Sequence, residues 1–409
     1  MKKSQCSQCL DDIHHPMGQA INKLGLCTGC MTHQEKDVIN WDERWEELER
    51  KCSELLNKRG GSSQYDCVIP LNADAEDYYI VELAMSLRLR PLLVYVNNYF
   101  GTDLSWRNLH NLETYFDLDM ITFNPNLNTY KEAVRTSLRK FNSIYWPYQA
   151  IKTSYPVRLA LDMDIPLILW GGLQATEQVG KFSHDDRVEM SGWSRIQHDL
   201  FAVDEASFFG TGAQISKSEQ FHYTYPDPSR ACRVTGIYLS NYTRWDPWSQ
   251  NQSVLRYGFI PEKSQHTFDQ YERAGSSVFY GIHDLLRLEK RGYLKVRDHL
   301  SREIRHGRIL KGNAEHLYSK YLGRKVDIRP FFDWLGATDS GLKLFVKERV
   351  RRASNKIAGG VHKRYKSMDE DMDFKLDESF FDESFFDESF FEEDSKSINK
   401  SFIVYHKGI

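Results

Sequence analysis

From Tyr65 onward, short apolar runs alternate with stretches whose apolar residues recur every three or four positions, a pattern that predicts βαβ units around a parallel sheet. Cys67-Val68-Ile69-Pro70-Leu71, Pro91-Leu92-Leu93-Val94-Tyr95-Val96, Met120-Ile121-Thr122-Phe123 and Ile165-Pro166-Leu167-Ile168-Leu169-Trp170 read as strands. Tyr79 to Leu87, Leu109 to Phe116 and Tyr130 to Phe141 read as helices between them. Right-handed crossovers wind such units into one open α/β sheet with helices on both faces, and ligands then bind at the carboxyl ends of the strands. Upstream, Trp41, Trp45, Leu48, Cys52, Leu55 and Leu56 mark an amphipathic helix ended by Gly60-Gly61-Ser62-Ser63. Beyond the sheet the pattern is mostly helical and rich in aromatic residues. The reading divides the chain into a cysteine-bearing segment 1–35, a linking helix 36–63, an α/β domain 64–235, a helical and mixed substrate extension 236–340, a basic segment 341–368 and an acidic tail 369–409.

Composition narrows the class. A chain of 409 residues exceeds what one core usually organises, and 41% hydrophobic with 27% charged residues is the balance of a soluble globular protein. No apolar run approaches the roughly 20 residues needed to cross a bilayer. The start, MKKSQCSQC, lacks the apolar stretch of a secretory signal, so a cytoplasmic location is expected. The net charge of -3 supplies no general attraction to nucleic acid.

The cysteines carry the sharpest chemistry. Cys6 and Cys9 form one close pair and Cys27 and Cys30 another, with 17 residues between the pairs. In a reducing compartment that spacing points to one tetrahedral zinc ion, and four sulfur ligands make a closed, structural site. A segment too short for a core also needs the metal in order to fold. His14 and His15 stand nearby as substitute ligands.

The turn after the first strand, Asn72-Ala73-Asp74-Ala75-Glu76-Asp77, opens a helix, a place where backbone amides can hold phosphate. It contains no glycine, lysine or serine, and its three carboxylates suit helix capping. Further on, His283, Asp284, Lys290, Asp298, His299, Arg302, Arg305 and Arg308 gather groups able to bind an anion or move a proton, although a solvated helix face looks much the same. Three consecutive copies of Asp-Glu-Ser-Phe-Phe, residues 377–391, repeat with a period of five that fits neither strand nor helix. Residues 369–394 therefore read as a disordered acidic tail, or as a docking segment for a partner or another copy of the chain.

Several stretches resemble the N-acetyl sugar amidotransferase family of surface-polysaccharide biosynthesis. They are the two cysteine pairs, Tyr65-Asp66-Cys67-Val68-Ile69-Pro70, Tyr155-Pro156-Val157-Arg158, Ile165 to Gly171, Gly281-Ile282-His283-Asp284, Lys290-Arg291-Gly292-Tyr293, Asp298 to Arg308 and Phe331-Phe332-Asp333-Trp334-Leu335-Gly336. The likeness covers most of residues 5–350 and leaves the tail outside it. It implies a fold like that of the ATP pyrophosphatases (adenine nucleotide alpha hydrolase-like), with ATP and magnesium at a Ser-Gly-Gly-Lys-Asp-Ser type loop after the first strand. It also implies amide transfer to a nucleotide-linked N-acetyl or uronic sugar, with ammonia from a glutaminase subunit. Carried over residue by residue, the cofactor positions are Asn72, Ala73, Asp74, Ala75, Gly171 and Gly172, and Glu76 and Asp77 join His283 and Arg305 as catalytic candidates. Glu177, Asp284, Lys290, Asp298, Arg302 and Arg308 become candidates for substrate contact, with Arg305 as anion contact and His283 as proton carrier.

The loop departs from the family pattern at both glycines, the lysine and both serines, and Gly172 stands where the family's second loop carries an acid. Glu76 remains able to hold magnesium, but Asp74 and Asp77 would face phosphate with like charge. Two readings follow: an ATP-dependent amidotransferase with an unusual loop, or a catalytically impaired member that serves as a binding or assembly scaffold. A tRNA-thiolating relative ranks last, because it would need catalytic cysteines near the loop and a basic face, and only Cys67 and the 343–366 stretch are offered.

Overall fold

A computed structural model of the chain describes residues 5–347 apart from 16, 60–62, 211, 213, 265, 273–277, 323, 325 and 346. The acidic repeat and most of the basic segment, from Glu348 on, lie outside the described residues. Five parallel strands, β1 (Cys67–Leu71), β2 (Pro91–Val96), β3 (Met120–Phe123), β4 (Leu167–Trp170) and β5 (Thr235–Tyr238), form one sheet in the order β3-β2-β1-β4-β5. β1 pairs with β2 from Cys67 opposite Pro91 to Leu71 opposite Tyr95, and with β4 through Cys67 opposite Leu167. The chain leaves β1 in one direction and returns to its other side with β4, so a crevice opens at the carboxyl ends of these two strands.

Successive strand residues face opposite ways, and both faces are covered. Cys67, Ile69, Leu71, Leu93, Tyr95, Leu169 and Ile237 pack under α2 (Trp41–Arg59), α3 (Ala75–Ser86) and α4 (Asp103–Phe116). Val68, Leu92, Val94, Ile168 and Trp170 pack under α6 (Trp146–Asp162), while α5 (Leu127–Phe141) builds an aromatic core beside it.

Two elements have no counterpart in the pattern reading. α6 carries Pro147 in its first turn, where proline is compatible with a helix, but also Pro156 inside, which removes a backbone donor. β5 is a four-residue edge strand that begins at the expected 235 boundary and carries the sheet past it.

The N-terminal segment is built into the C-terminal extension. Cys6, Cys9, Leu10, Cys27 and Cys30 share one core with Leu288, Tyr293, Val296, Leu300 and Tyr318 from α7 (Tyr280–Arg291), α8 (Val296–Arg305) and α9 (Lys311–Leu322). α1 (Thr28–Glu35) docks on the loop after β4, with the Thr28 hydroxyl donating to the Val179 carbonyl at 2.6 Å. Among the described residues, no helix is long and apolar enough to cross a membrane.

Candidate functional site

The two cysteine pairs converge. All four side chains are buried, with the Cys6 and Cys30 sulfurs 3.8 Å apart and those of Cys9 and Cys27 3.6 Å apart. A tetrahedral metal with bonds of about 2.3 Å to sulfur requires sulfurs about 3.8 Å apart, so the spacing fits. The amides of Gln8, Cys9, Asp11, Cys27 and Cys30 point at these sulfurs from 3.3 to 3.5 Å, as thiolates need when withdrawn from water. The four-sulfur donor set suits a metal such as zinc. His14 is exposed, and His15 leaves the cluster for Asp298, 3.5 Å away.

Arg305, expected to contact substrate, is buried behind this centre. Its guanidinium donates to Asp11 at 2.5 Å and to the Gln178 carbonyl at 2.6 Å, and it lies 3.8 and 3.7 Å from the sulfurs of Cys9 and Cys27. A cation there offsets the charge of four thiolates and ties the centre to the loop after β4.

At the carboxyl end of β1, the turn does what its composition predicts. Ala73 adopts a left-handed φ of 64°, which turns successive amides inward. They meet Asp77, whose buried carboxylate accepts from Asn72 at 2.9 Å, from Ala73 at 2.6 Å and from Asp74 at 3.2 Å. The position that a phosphate would take is filled by the chain's own carboxylate. A triphosphate at this turn would have to displace Asp77, so the residues present do not fit ATP there.

Burial, the largest influence, pushes the carboxyls of this turn upward. Asp77 is raised to about 6 even though the loop amides pull the other way, Glu76 is raised to about 7, and Asp74 is held well above its usual range. Glu76 accepts from the Gly172 amide at 3.2 Å. Gly171 and Gly172 are required for that approach: a Cβ on the first would overlap Glu76 Oε1, and on the second the indole nitrogen of Trp245. The Gly172 amide serves Glu76, and the missing side chain leaves room for Trp245. Ala75, which stands where the family carries lysine, is fully buried. Lys152, from α6, brings the missing cation to the turn and donates to Asn72 Oδ1.

Asn72, Asp74 and Glu76 line a cavity of about 520 Å³, within the range of small-molecule sites. α7 and α8 supply much of its remaining wall. α8 is far from the solvated face that its charges allowed, since Arg297, Asp298, His299, Glu303 and Arg305 are all buried. Its groups answer one another. Arg302 bridges Asp269, Glu272 and Glu303, and Arg308 pairs with Asp246 and Glu303. Asp284 accepts from the Lys295 amide at 3.0 Å, Lys290 donates to the Phe141 carbonyl at 3.2 Å, and Glu177 receives Lys36. His283 accepts from Arg287 at its Nε2, 3.1 Å away, because a guanidinium can only donate. Asp269, Glu272 and His299 also cluster closely enough for a metal, but Arg302 already supplies a cation to both carboxylates.

Pattern reading missed Lys36, Lys152, Asp199, Trp245, Glu272, Arg287 and Lys295, all of which line the cavity. The one local signal was Arg287 with Lys290 and Arg291, cations three and four residues apart on one helix face. Cys67, needed by a thiolation reading, is fully buried within β1, and burial pushes its thiol well above the ordinary range.

No curated protein matches the chain. A family does match, described as LPS biosynthesis protein WbpG-like, C-terminal domain, and the matched residues 265–406 run past the sequence motifs and through the acidic repeat. Residues 265–406 are thus similar to the C-terminal domain of WbpG-like lipopolysaccharide-biosynthesis proteins, and α7, α8 and α9 lie inside that span.

Proposed function

We propose that this chain acts in lipopolysaccharide biosynthesis by binding a nucleotide-activated N-acetyl or uronic sugar in the cavity at the strand ends, without running an ATP step at the turn after β1. The observation that carries the proposal is Asp77, seated on the amides of Asn72, Ala73 and Asp74. A carboxylate with three amide donors resists displacement. The four-cysteine centre holds zinc in a structural role, anchoring the N-terminal segment to the WbpG-like domain.

A second reading, amide transfer driven by ATP with ammonia from a glutaminase subunit, draws support from the cavity itself. It keeps Glu76 within reach of the loop after β4, as a magnesium-holding carboxylate requires. Calorimetry separates the two, with ATP plus magnesium in one arm and UDP-N-acetylglucosamine in the other. The proposal expects uptake of the sugar nucleotide and none of ATP. Tight magnesium-dependent ATP binding that is lost in Glu76→Gln, or sugar-dependent formation of AMP with ammonia present, would establish the second reading instead.

A further inference from the structure

Charge is unevenly distributed around the cavity. Lys36 is answered by Glu177, Arg302 by three carboxylates and Arg305 by Asp11 with the thiols. On the wall made by the end of α7 and the start of α8, four lining cations, Arg287, Lys290, Arg291 and Lys295, face one lining carboxylate, Asp298. Arg287 and Lys295 reach it at 3.3 and 3.4 Å, and His15 approaches its other oxygen at 3.5 Å. Asp284 stands behind them, engaged by the Lys295 amide, and Glu289 is turned to Asn142.

Local helix chemistry explains part of this wall. Lys290 and Arg291 lie in the last turn of α7, where the helix dipole favours cations. Arg287 sets a like charge three and four residues before them, which is unfavourable on a helix face. Lys295 stands at the N-cap of α8, the positive end of that helix. Cations kept against both preferences, on a cavity wall with one carboxylate among them, match an anionic ligand.

We propose that this wall is a diphosphate subsite: the two phosphates of a nucleoside diphosphate sugar lie across Arg287, Lys290 and Lys295, at the α7–α8 wall instead of the turn after β1. The inference rests on the nucleotide-sugar reading above and assigns the end of the cavity that takes the phosphates. The Arg287 fork can hold two oxygens of one phosphate, and the lysines supply compact charges for the other. Asp298 pairs with Arg287 and Lys295 but with neither Lys290 nor Arg291.

The test uses the full chain and three probes, inorganic pyrophosphate, UDP and UDP-N-acetylglucosamine, in titration calorimetry at two salt concentrations. All three should bind the wild type, more weakly at the higher salt. Arg287→Met and Lys290→Ala should each weaken UDP binding at least tenfold. Lys290 is exposed and bonds only to a carbonyl, so that variant should fold, which a thermal melt verifies. Wild-type affinity for UDP in both folded variants would overturn the subsite while leaving sugar-nucleotide binding in place. Variant-sensitive pyrophosphate binding with no gain from uridine and sugar would keep the subsite and remove the nucleotide-sugar reading. Failure of every probe to bind would remove both.

Discussion

The four-cysteine centre and the turn after β1 are both places where backbone amides converge on buried anionic side chains, yet one needs a ligand and the other does not. At the cysteines, five amides and Arg305 surround four sulfurs whose spacing fits a tetrahedral ion, and the set is complete only when a cation joins it. At the turn, three amides already have their anion in Asp77. Converging amides alone therefore do not make an anion site. What decides is whether the chain fills the position itself.

The largest test of this contrast removes the metal. Cys9→Ser combined with Cys27→Ser should abolish zinc binding and cost more than about 4 kcal/mol, since structural zinc in small knuckles is worth on the order of 10 kcal/mol. Metal analysis and thermal melting read the outcome; a zinc-free double variant that melts like the wild type would break the contrast. Next, Arg305→Met leaves Asp11 buried without its partner, at an expected cost of about 3–5 kcal/mol, and weakens zinc roughly 10- to 100-fold. Urea denaturation and competition with a chelator measure the two effects separately.

At the turn, Asp77→Ala strands the amides of Asn72, Ala73 and Asp74 and should cost about 1–3 kcal/mol in urea denaturation. A neutral result would mean that those amides find other acceptors and that Asp77 does not close the turn. The smallest effect is a pH slope. Burial raises Glu76 from 4.5 to about 7, so between those values the folded chain holds more protons than the unfolded one. The stability from this group is fully present below its unfolded value and is lost as pH rises through about 7. Glu76→Gln keeps an acceptor for the Gly172 amide and should be more stable than the wild type above pH 8, by on the order of 1 kcal/mol. Denaturation at pH 5 and pH 8 checks this, and an unchanged slope in the variant would assign the effect to other carboxyls, Asp77 and Asp199 being the next candidates.

Local pattern determined β1 to β4, the long helix from Trp41 and the convergence of four cysteines, because each depends on residues close in the chain or on a spacing set by one ion. It also marked the turn after β1 as unsuited to phosphate. Only the tertiary structure decided that Asp77 occupies that turn, that α6 forms across two prolines, and that Arg305 serves the cysteines. Arg305 and Asp11 lie 294 residues apart, and Lys36 and Glu177 lie 141 apart. In sequence each is a charge without a visible partner, and burial alone turns such a charge into an obligation to find one.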